Sequence, residues 1–297
     1  MKNHSHAPIY AALVLMTILF GSSFIATKIA LEYLHPFQIV GLRYIIAFLA
    51  MTSLWKLRHS FKLLTDPALM KEIMLIILMG PILYFFFETF GLKYAKASEI
   101  SFMISLIPVA TFITASVILK EKLHLFGKIA IVFSVIGALL LIFGDTSTNI
   151  SFSGSMIGKL FGLGAVLSSS IYNVLVRKTT QKVSPLQLTY LQSFVAGIFY
   201  LILSFFVQPA NYVEIALANS TVIYALLFLG VGCSFIAIYF MNLGFAHLES
   251  TRVALFGNFV PVVTLTIAWF IGMGFMSPLQ LAGGLLILTS LFLANKK

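Results

Sequence analysis

Three ionisable side chains, Lys28, Arg43 and Glu88, interrupt long apolar runs of the sequence. A charge is costly inside an apolar membrane layer, so such residues face the interior of a helix bundle or water. At about 1.5 Å of helical rise per residue, Arg43 and Glu88 lie roughly 9 Å and 6 Å from the ends of their runs at Phe37 and Leu92. Lys28 lies near the corresponding end of its own run. All three side chains could therefore meet in one layer.

These charged residues support two hypotheses. In the first, they form a charged patch in a central cavity, where Arg43 or Lys28 pairs with an anionic group. In the second, Arg43 and Glu88 form a structural ion pair, and the long stem of Lys28 carries its ammonium to the membrane interface.

Other polar side chains recur at helical spacing within the apolar runs. Tyr84 and Glu88 are four residues apart, and Tyr239 and Asn242 are three apart, so each pair shares a helix face. Such groups suit the lining of a substrate cavity, although interhelical hydrogen bonds in a bundle use the same residue types. The further candidates for substrate binding are Ser105, Tyr172, Gln192 and Asn258.

The elements that carry these residues are predicted to be transmembrane helices. Hydrophobic residues make up 60% of the chain and charged residues 9%, whereas soluble domains have about 45–50% and about 25%. The mean hydropathy is +1.03. The runs are apolar on all sides and too long for barrel strands, which favours helices. Ten segments are predicted: 8–30, 37–55, 73–92, 98–119, 126–144, 156–176, 186–207, 221–244, 253–271 and 279–294.

The distribution of basic residues predicts the orientation of these helices. Fourteen of the 19 Lys and Arg residues fall on the side of the N-terminus, and three fall on the other side. Cytoplasmic loops collect Lys and Arg, so both termini are predicted to be cytoplasmic in a multi-pass protein of the plasma membrane. The net charge of +10 is thereby explained without nucleic acid. The single cysteine, Cys233, excludes a disulfide within the chain.

The second half of the chain repeats the pattern of the first. Gly91 and Pro108 have counterparts 153 residues later at Gly244 and Pro261 (261 − 108), and each proline is expected to break its helix or only to kink it. Matching the prolines of the second and seventh helices places Gln192 opposite Arg43. Five helices per half make the halves inverted repeats, as is typical of secondary transporters. The predicted fold is an all-α integral membrane protein with two such repeats, at 1–147 and 154–297.

Short motifs give the chain a resemblance to a known family. Phe20-Gly21-Ser22-Ser23-Phe24, Leu42-Arg43-Tyr44, and the set Pro108, Glu121 and Gly127 resemble the drug/metabolite transporter superfamily, in its EamA-type branch. The similarity extends over nearly all 297 residues. One departure is that the second half has no acidic residue near Gly274 to match Glu121. The resemblance implies transport of small metabolites, amino acids or drugs.

The sequence therefore predicts a secondary transporter that moves a small metabolite, an amino acid or related compound, by alternating access, with efflux as the expected direction. The expected partners are a small-molecule substrate and the lipid bilayer, with no nucleic acid. No cofactor, metal site or enzyme activity is expected, since the sequence has no Walker A, Gly-x-Ser-x-Gly or His-Glu-x-x-His motif. The glycine stripe Gly154, Gly158 and Gly162 suits packing within a monomer or a homodimer face. The alternatives are a membrane-embedded enzyme and a non-transporting membrane receptor.

Overall fold

The computed structural model describes residues 7–94, 100, 103–121, 124–143, 156–207, 220–270 and 277–294, and every regular element within them is helical. The predicted all-helical class is confirmed for these residues. The helices are α1 (Ala7–Leu31), α2 (Pro36–Thr52), a 3-10 segment (Trp55–Thr65), α3 (Pro67–Ile77), α4 (Phe85–Tyr94), α5 (Ile107–Ile118), α6 (Leu125–Phe143), α7 (Met156–Thr179), α8 (Pro185–Val207), α9 (Ser220–Leu227), α10 (Ile238–His247), α11 (Ser250–Gly257), α12 (Val260–Phe270) and α13 (Pro278–Ala294).

Local capping chemistry sets where α2 and α3 begin. Each helix has proline in its first turn, a position where the missing N–H is not needed. At α2, the side chain of Gln38 accepts a hydrogen bond from the backbone N–H of His35 at 2.7 Å. At α3, the carboxylate of Asp66 accepts from the N–H of Ala68 at 3.0 Å. These caps satisfy backbone donors that the first turn of a helix leaves without partners.

Two of the long helices contain a stretch of π-helix. The first π segment, Leu78–Tyr84, joins α3 to α4, and the second π segment, Phe228–Ala237, joins α9 to α10. Proline at position 81 lies inside the first segment and cannot donate to a helical hydrogen bond. The sequence pattern did not predict these segments. π-Helices are rare and occur frequently at functional sites, so both segments are relevant to the search for a site.

A two-residue break precedes both α5 and α12. Residues 105–106 and 258–259 are turns, and the helices resume at Ile107 and Val260. The predicted interruptions at Pro108 and Pro261 are thus breaks and not simple kinks, since each proline becomes the second residue of a new helix. A break leaves carbonyl groups without their helical donors, and these carbonyls need other partners.

The helices of the two halves begin at matching positions. The starts of α3, α4, α5 and α6 recur 153 residues later as the starts of α9, α10, α12 and α13. The starts of α1 and α2 recur 149 residues later (185 − 36) as those of α7 and α8. The four-residue difference falls in the link between the second and third helices of each half. This register fits a two-repeat architecture.

Five helical stretches are long and apolar enough to cross a membrane by length and composition: Ala7–Leu31, Pro67–Gly91, Met156–Thr179, Pro185–Val207 and Ser220–His247. They correspond to five of the ten predicted segments. Shorter apolar helices occupy parts of four others, at Pro36–Thr52, Ile107–Ile118, Leu125–Gly137 and Leu281–Ser290. The remaining segment, 253–271, is divided between α11 and α12 by the break described above.

The chain divides into two compact units, and each contains stretches from both sequence halves. The first unit is Met1–Ile82 with Leu175–His247, and the second is Leu83–Val174 with Leu248–Lys297. The chain passes between the units three times: inside the first π segment, inside α7, and between His247 and Leu248 after α10. The compact units are therefore not the sequence repeats 1–147 and 154–297, which stay a prediction.

The core of the first unit lies where α1 and α2 pack on α9 and the second π segment. Its buried residues include Ala30, Ile39, Leu229 and Cys233. Gly230 allows a close approach here, because a Cβ at this position would collide with the side chain of Ile46 and lie 3.2 Å from the Arg43 carbonyl oxygen. This contact sets the backbone of α2 directly against the second π segment.

The core of the second unit is centred on the packing of α6 along α13. A Cβ added to Gly137 would lie 2.7 Å from the carbonyl oxygen of Gly283 and 3.0 Å from the amide nitrogen of Ile287. Only a glycine permits the two backbones to approach this closely. Leu255 of α11 packs against the same pair of helices with Ala130.

Candidate functional site

Arg43 lies in the middle of α2 and is 4% exposed. Its Nε donates a hydrogen bond to the hydroxyl of Ser234 at 2.7 Å. Ser234 is fully buried in the second π segment. A guanidinium is planar, permanently charged and has five donors, so fixing the Nε edge also fixes the plane of the whole group. The first unit thus holds an oriented cation at depth among apolar helices.

A second buried polar cluster in the first unit joins α8 to α10. The side-chain amide of Asn242 donates to Thr189 Oγ1 at 2.9 Å and to Gln192 Oε1 at 3.0 Å. All three side chains are fully buried. Both amide hydrogens of Asn242 therefore have protein acceptors, and the cluster serves as interhelical contact in this structure.

Tyr239 differs from Asn242 although both are in α10. Its ring is partly exposed and packs at a tilt on Phe240, with centroids 5.6 Å apart. Asn242 is fully buried on the side toward α8. Of the two, Tyr239 has the exposure that a residue contacting a transient ligand requires.

Tyr84 and Glu88 meet in the second unit as predicted from their spacing. The hydroxyl of Tyr84 donates to Glu88 Oε1 at 3.1 Å, and both side chains are partly exposed. Tyr84 is the last residue of the first π segment, and Glu88 lies in the first turn of α4. The pair places a carboxylate with a fixed hydrogen-bond donor beside it.

Asn258 connects the two helix breaks. Its side-chain amide donates to the Ser105 carbonyl oxygen at 3.1 Å and to the Ser134 hydroxyl at 2.7 Å. Ser105 and Asn258 are equivalent positions of the repeat, 153 residues apart, and all three residues are buried. Asn258 therefore supplies a donor to a carbonyl in the opposite break. Ser105 and Asn258, both predicted as substrate-binding residues, form a structural hydrogen bond between the two breaks.

Tyr172 is buried in α7, next to a polar contact that the sequence did not predict. The amide of Asn173 donates to Thr111 Oγ1 of α5 at 3.0 Å. Thr114 Oγ1 donates to Ser170 Oγ at 3.3 Å one turn along the same pair of helices. These bonds fix α7 against α5 within the second unit.

Glu121, one of the residues that carry the family resemblance, also has a structural partner. Its Oε1 accepts a hydrogen bond from the hydroxyl of Ser250 at 3.4 Å. Ser250 is the first residue of α11, where the positive end of the helix dipole favours a carboxylate. The end of α5 is thereby joined to the start of α11.

Two parts of the predicted charged layer, the position of Lys28 and the meeting of Arg43 with Glu88, stay predictions. The side chain of Lys28 lies outside the described part of the chain, although its backbone is in α1. Arg43 and Glu88 belong to different compact units, and the expectation that they meet in one layer stays a prediction.

Sequence reasoning missed several partners of the predicted residues. Ser234, Thr189, Thr111 and Ser134 are single hydroxyl residues in apolar helices, where a small residue more often marks close packing. For Ser234, the sequence offers one indication of a special role, which comes from the repeat. The equivalent position in the first half, 153 residues earlier, is Pro81 in the first π segment. A position that holds proline in one half and serine in the other is expected to have different hydrogen bonding in each.

The described side chains suit binding more than bond-making chemistry. The candidate residues provide the oriented guanidinium of Arg43, the carboxylate of Glu88 with the hydroxyl of Tyr84, and several neutral hydrogen-bonding groups. Within the described residues, no group of three His, Cys, Asp or Glu is arranged to hold a metal ion.

Comparison with known proteins gives a consistent family. The EamA-like transporter family matches residues 7–143 and 156–296. The chain is 29% identical over 299 residues to the uncharacterized transporter YcxC of Bacillus subtilis, covering 99% of this chain and 95% of that protein. It is 26% identical over 297 residues to the uncharacterized transporter YyaM of the same organism, covering 98% and 94%.

One solved crystal structure is similar to the fold, with a TM-score of 0.81 at 17% identity, covering 98% of this chain and 97% of that chain. At this identity the likeness concerns the fold alone. Together with the match to both halves of the sequence, it leads to one conclusion. The chain belongs to the EamA-like transporter family.

Proposed function

We propose that this protein is a secondary transporter that moves a small polar or amphipathic metabolite across the plasma membrane by alternating access. The observation that carries the proposal is Arg43, a buried cation in mid-helix whose guanidinium is oriented by Ser234. A charge at such depth is expensive in lipid, and charges of this kind mark substrate and ion pathways. Membership of a transporter family supports the same function.

The proposed topology has ten transmembrane helices in two inverted repeats with both termini in the cytoplasm. The matching helix starts of the two halves support the repeat. Five helices per half invert the second copy in the membrane. The excess of Lys and Arg on the side of the N-terminus supports the cytoplasmic assignment. Two of the helices shorter than 18 residues, Ile107–Ile118 and Leu125–Gly137, overlap longer predicted apolar segments, 98–119 and 126–144.

The proposed substrate is an amino acid or related compound, and the proposed direction is efflux. An oriented guanidinium suits a carboxylate, which it binds through parallel N–H donors. A partly exposed aromatic residue of the same unit, Tyr239, suits an apolar substrate portion. We infer a carrier and not an enzyme, because the described side chains offer binding groups without a nucleophile–base or metal constellation.

Glu88 makes proton coupling part of the proposal. A carboxylate that titrates near the membrane interior can exchange a proton for substrate, as acidic residues do in proton relays. The hydroxyl of Tyr84 donates to this carboxylate at 3.1 Å, so a proton taken up by Glu88 would enter an existing hydrogen-bonded pair.

The test is a counterflow assay with purified protein in sealed proteoliposomes. Vesicles are loaded with one of a panel of the common amino acids at millimolar concentration, and uptake of the same radiolabelled compound is followed with and without a pH gradient. We expect time-dependent accumulation for at least one compound, and loss of its pH dependence in Glu88→Gln. Protein-free vesicles and Arg43→Met vesicles are the controls. No accumulation across this panel and a matching panel of the corresponding amino alcohols would contradict the proposed substrate class.

A further inference from the structure

A cluster of charged and polar residues joins the C-terminal end of α7 to α10 and to α3. Arg177 lies in the last turn of α7, and its Nη1 donates to the carbonyl oxygens of Phe245 and Ala246 at 2.9 Å each. The side chain of Gln181 also donates to the Ala246 carbonyl, at 3.1 Å. These two carbonyls belong to the last turn of α10, which ends at His247.

The same end of α7 is tied to α3 by an ion-pair network. Glu72 pairs with the ammonium groups of Lys178 at 3.1 Å and Lys182 at 3.3 Å. The hydroxyl of Thr179 donates to the other carboxylate oxygen of Glu72 at 3.4 Å. We call the set of Glu72, Arg177, Lys178, Gln181 and Lys182 the α7 latch.

The two halves of the latch differ in strength. Both lysines are half-exposed, and exposed ion pairs of this kind contribute little. Arg177 is better shielded, and it binds carbonyls at the C-terminal end of a helix, where the last turn lacks backbone donors and the helix dipole is negative. A cation there both satisfies the carbonyls and complements the dipole. Arg177 therefore provides most of the attachment between α7 and α10.

The attachment of Arg177 lies next to the point where α7 is divided between the two compact units. Residues of α7 up to Val174 belong to the second unit, and only the last turn from Leu175 onward belongs to the first. The contacts of Arg177, Lys178 and Thr179 described above are all with first-unit residues. The last turn of α7 is thus held by the latch while the body of the helix belongs elsewhere.

We propose that the α7 latch is a gate at the cytoplasmic end of the transporter, closed in this structure by Arg177 on the end of α10. The inference rests on the proposed alternating-access function, in which one end of the helix set must separate while the other stays closed. Separation of α7 from α10 breaks both Arg177 hydrogen bonds. Water then reaches residues of α7 that the closed latch covers.

The reporter for opening is Val176, which is fully buried next to Arg177. The protein carries Val176→Cys in a Cys233→Ser background, is reconstituted in lipid nanodiscs, and reacts with a water-soluble maleimide at a temperature well below melting. Arg177→Met removes both hydrogen bonds and is expected to raise the labelling rate by at least about tenfold, since the loss of even one hydrogen bond to a charged group has an effect of this order. Arg177→Lys, which keeps the charge but not the two-carbonyl geometry, is expected to give an intermediate rate.

Arg252→Met is the matched control. Arg252 is also an arginine on the predicted cytoplasmic side, and its Nε pairs with Glu249 three residues earlier at 3.0 Å. It therefore joins no second helix through that pair, and its loss is expected to leave the labelling of Val176→Cys unchanged. Helical circular dichroism and a single gel-filtration peak confirm that each variant is folded.

Two results would overturn the gate. One is a labelling rate of Val176→Cys that is the same with and without Arg177→Met in folded protein. Arg177 would then be a static helix cap. The other is an equal rise in Arg252→Met, which would indicate general loosening. If Arg177→Met does not fold, Arg177→Lys decides in the same way, with a parental rate counting against the gate. Labelling needs no substrate, so its outcome is separate from success or failure of the transport assay.

Discussion

At the residue scale, the buried arginine is the feature with the clearest functional content. Arg43 was recognisable in the sequence because a charge within an apolar run has few innocuous explanations. Its partner was not recognisable. Ser234 sits among small residues of an apolar helix, where nothing in the local pattern separates a hydrogen-bonding serine from a packing one.

Replacing Ser234 tests whether the orientation of the guanidinium matters. Ser234→Ala keeps the charge of Arg43 and removes the acceptor of its Nε, so the guanidinium loses the hydrogen bond that orients this edge. We expect the KM of a transported carboxylate compound to rise about tenfold with a smaller change in kcat, because binding geometry is lost while the cation remains. Uptake kinetics in proteoliposomes provide the measurement.

The matched control for Ser234 is Ser290→Ala. Ser290 is equally buried, but its hydroxyl donates to the carbonyl of Ile287 in its own helix at 2.7 Å. Its loss should leave KM unchanged. A similar KM increase in both variants, or in neither, would mean that Ser234 has no specific role in positioning Arg43.

At the element scale, the sequence located the irregularities at Pro108 and Pro261, with a break and a kink as alternatives, but it did not predict the π segments. Proline has a direct chemical signature, because it removes a donor and disfavours the helical conformation before it. A π segment has no comparable signature in a helix that is apolar on all sides. The amphipathic periodicity that would shift across the extra residue is absent there, so the change in register leaves no trace in the pattern.

Asn258 is predicted to stabilise both breaks together. Asn258→Ala leaves the buried Ser105 carbonyl and Ser134 hydroxyl without this donor, which is expected to cost about 1–3 kcal/mol. Asn258→Asp should cost more, because a carboxylate oxygen would face the carbonyl oxygen. In thermal unfolding in detergent, the melting temperature is expected to be highest for the wild type, lower for Asn258→Ala and lowest for Asn258→Asp. Equal melting temperatures for wild type and Asn258→Ala would disprove the bridging role.

At the scale of the whole molecule, hydropathy and loop charge predicted the class of the protein, and the repeat predicted the register of its helices. The grouping of helices into compact units was beyond the sequence. It depends on which faces of α7 and of the α3–α4 helix pack together, and helices this uniformly apolar do not specify their faces by pattern alone.

The topology is tested by single cysteines in a Cys233→Ser background. Ser5→Cys and Asn295→Cys should resist an impermeant thiol reagent in intact cells, because both ends are predicted to be cytoplasmic. Lys93→Cys is the control, since Lys93 is exposed near the end of α4 on the predicted outer side and should react. External labelling of either terminal cysteine would contradict the proposed orientation.

The two π segments end at equivalent positions of the repeat, Tyr84 and Ala237. A π segment arises when one residue is inserted into an α-helix without displacing the residues after it. A duplication of one five-helix unit would produce this shared end point, because a copied helix keeps its irregularity at the same position. Proline at 81 and serine at 234 would then be differences between the two copies.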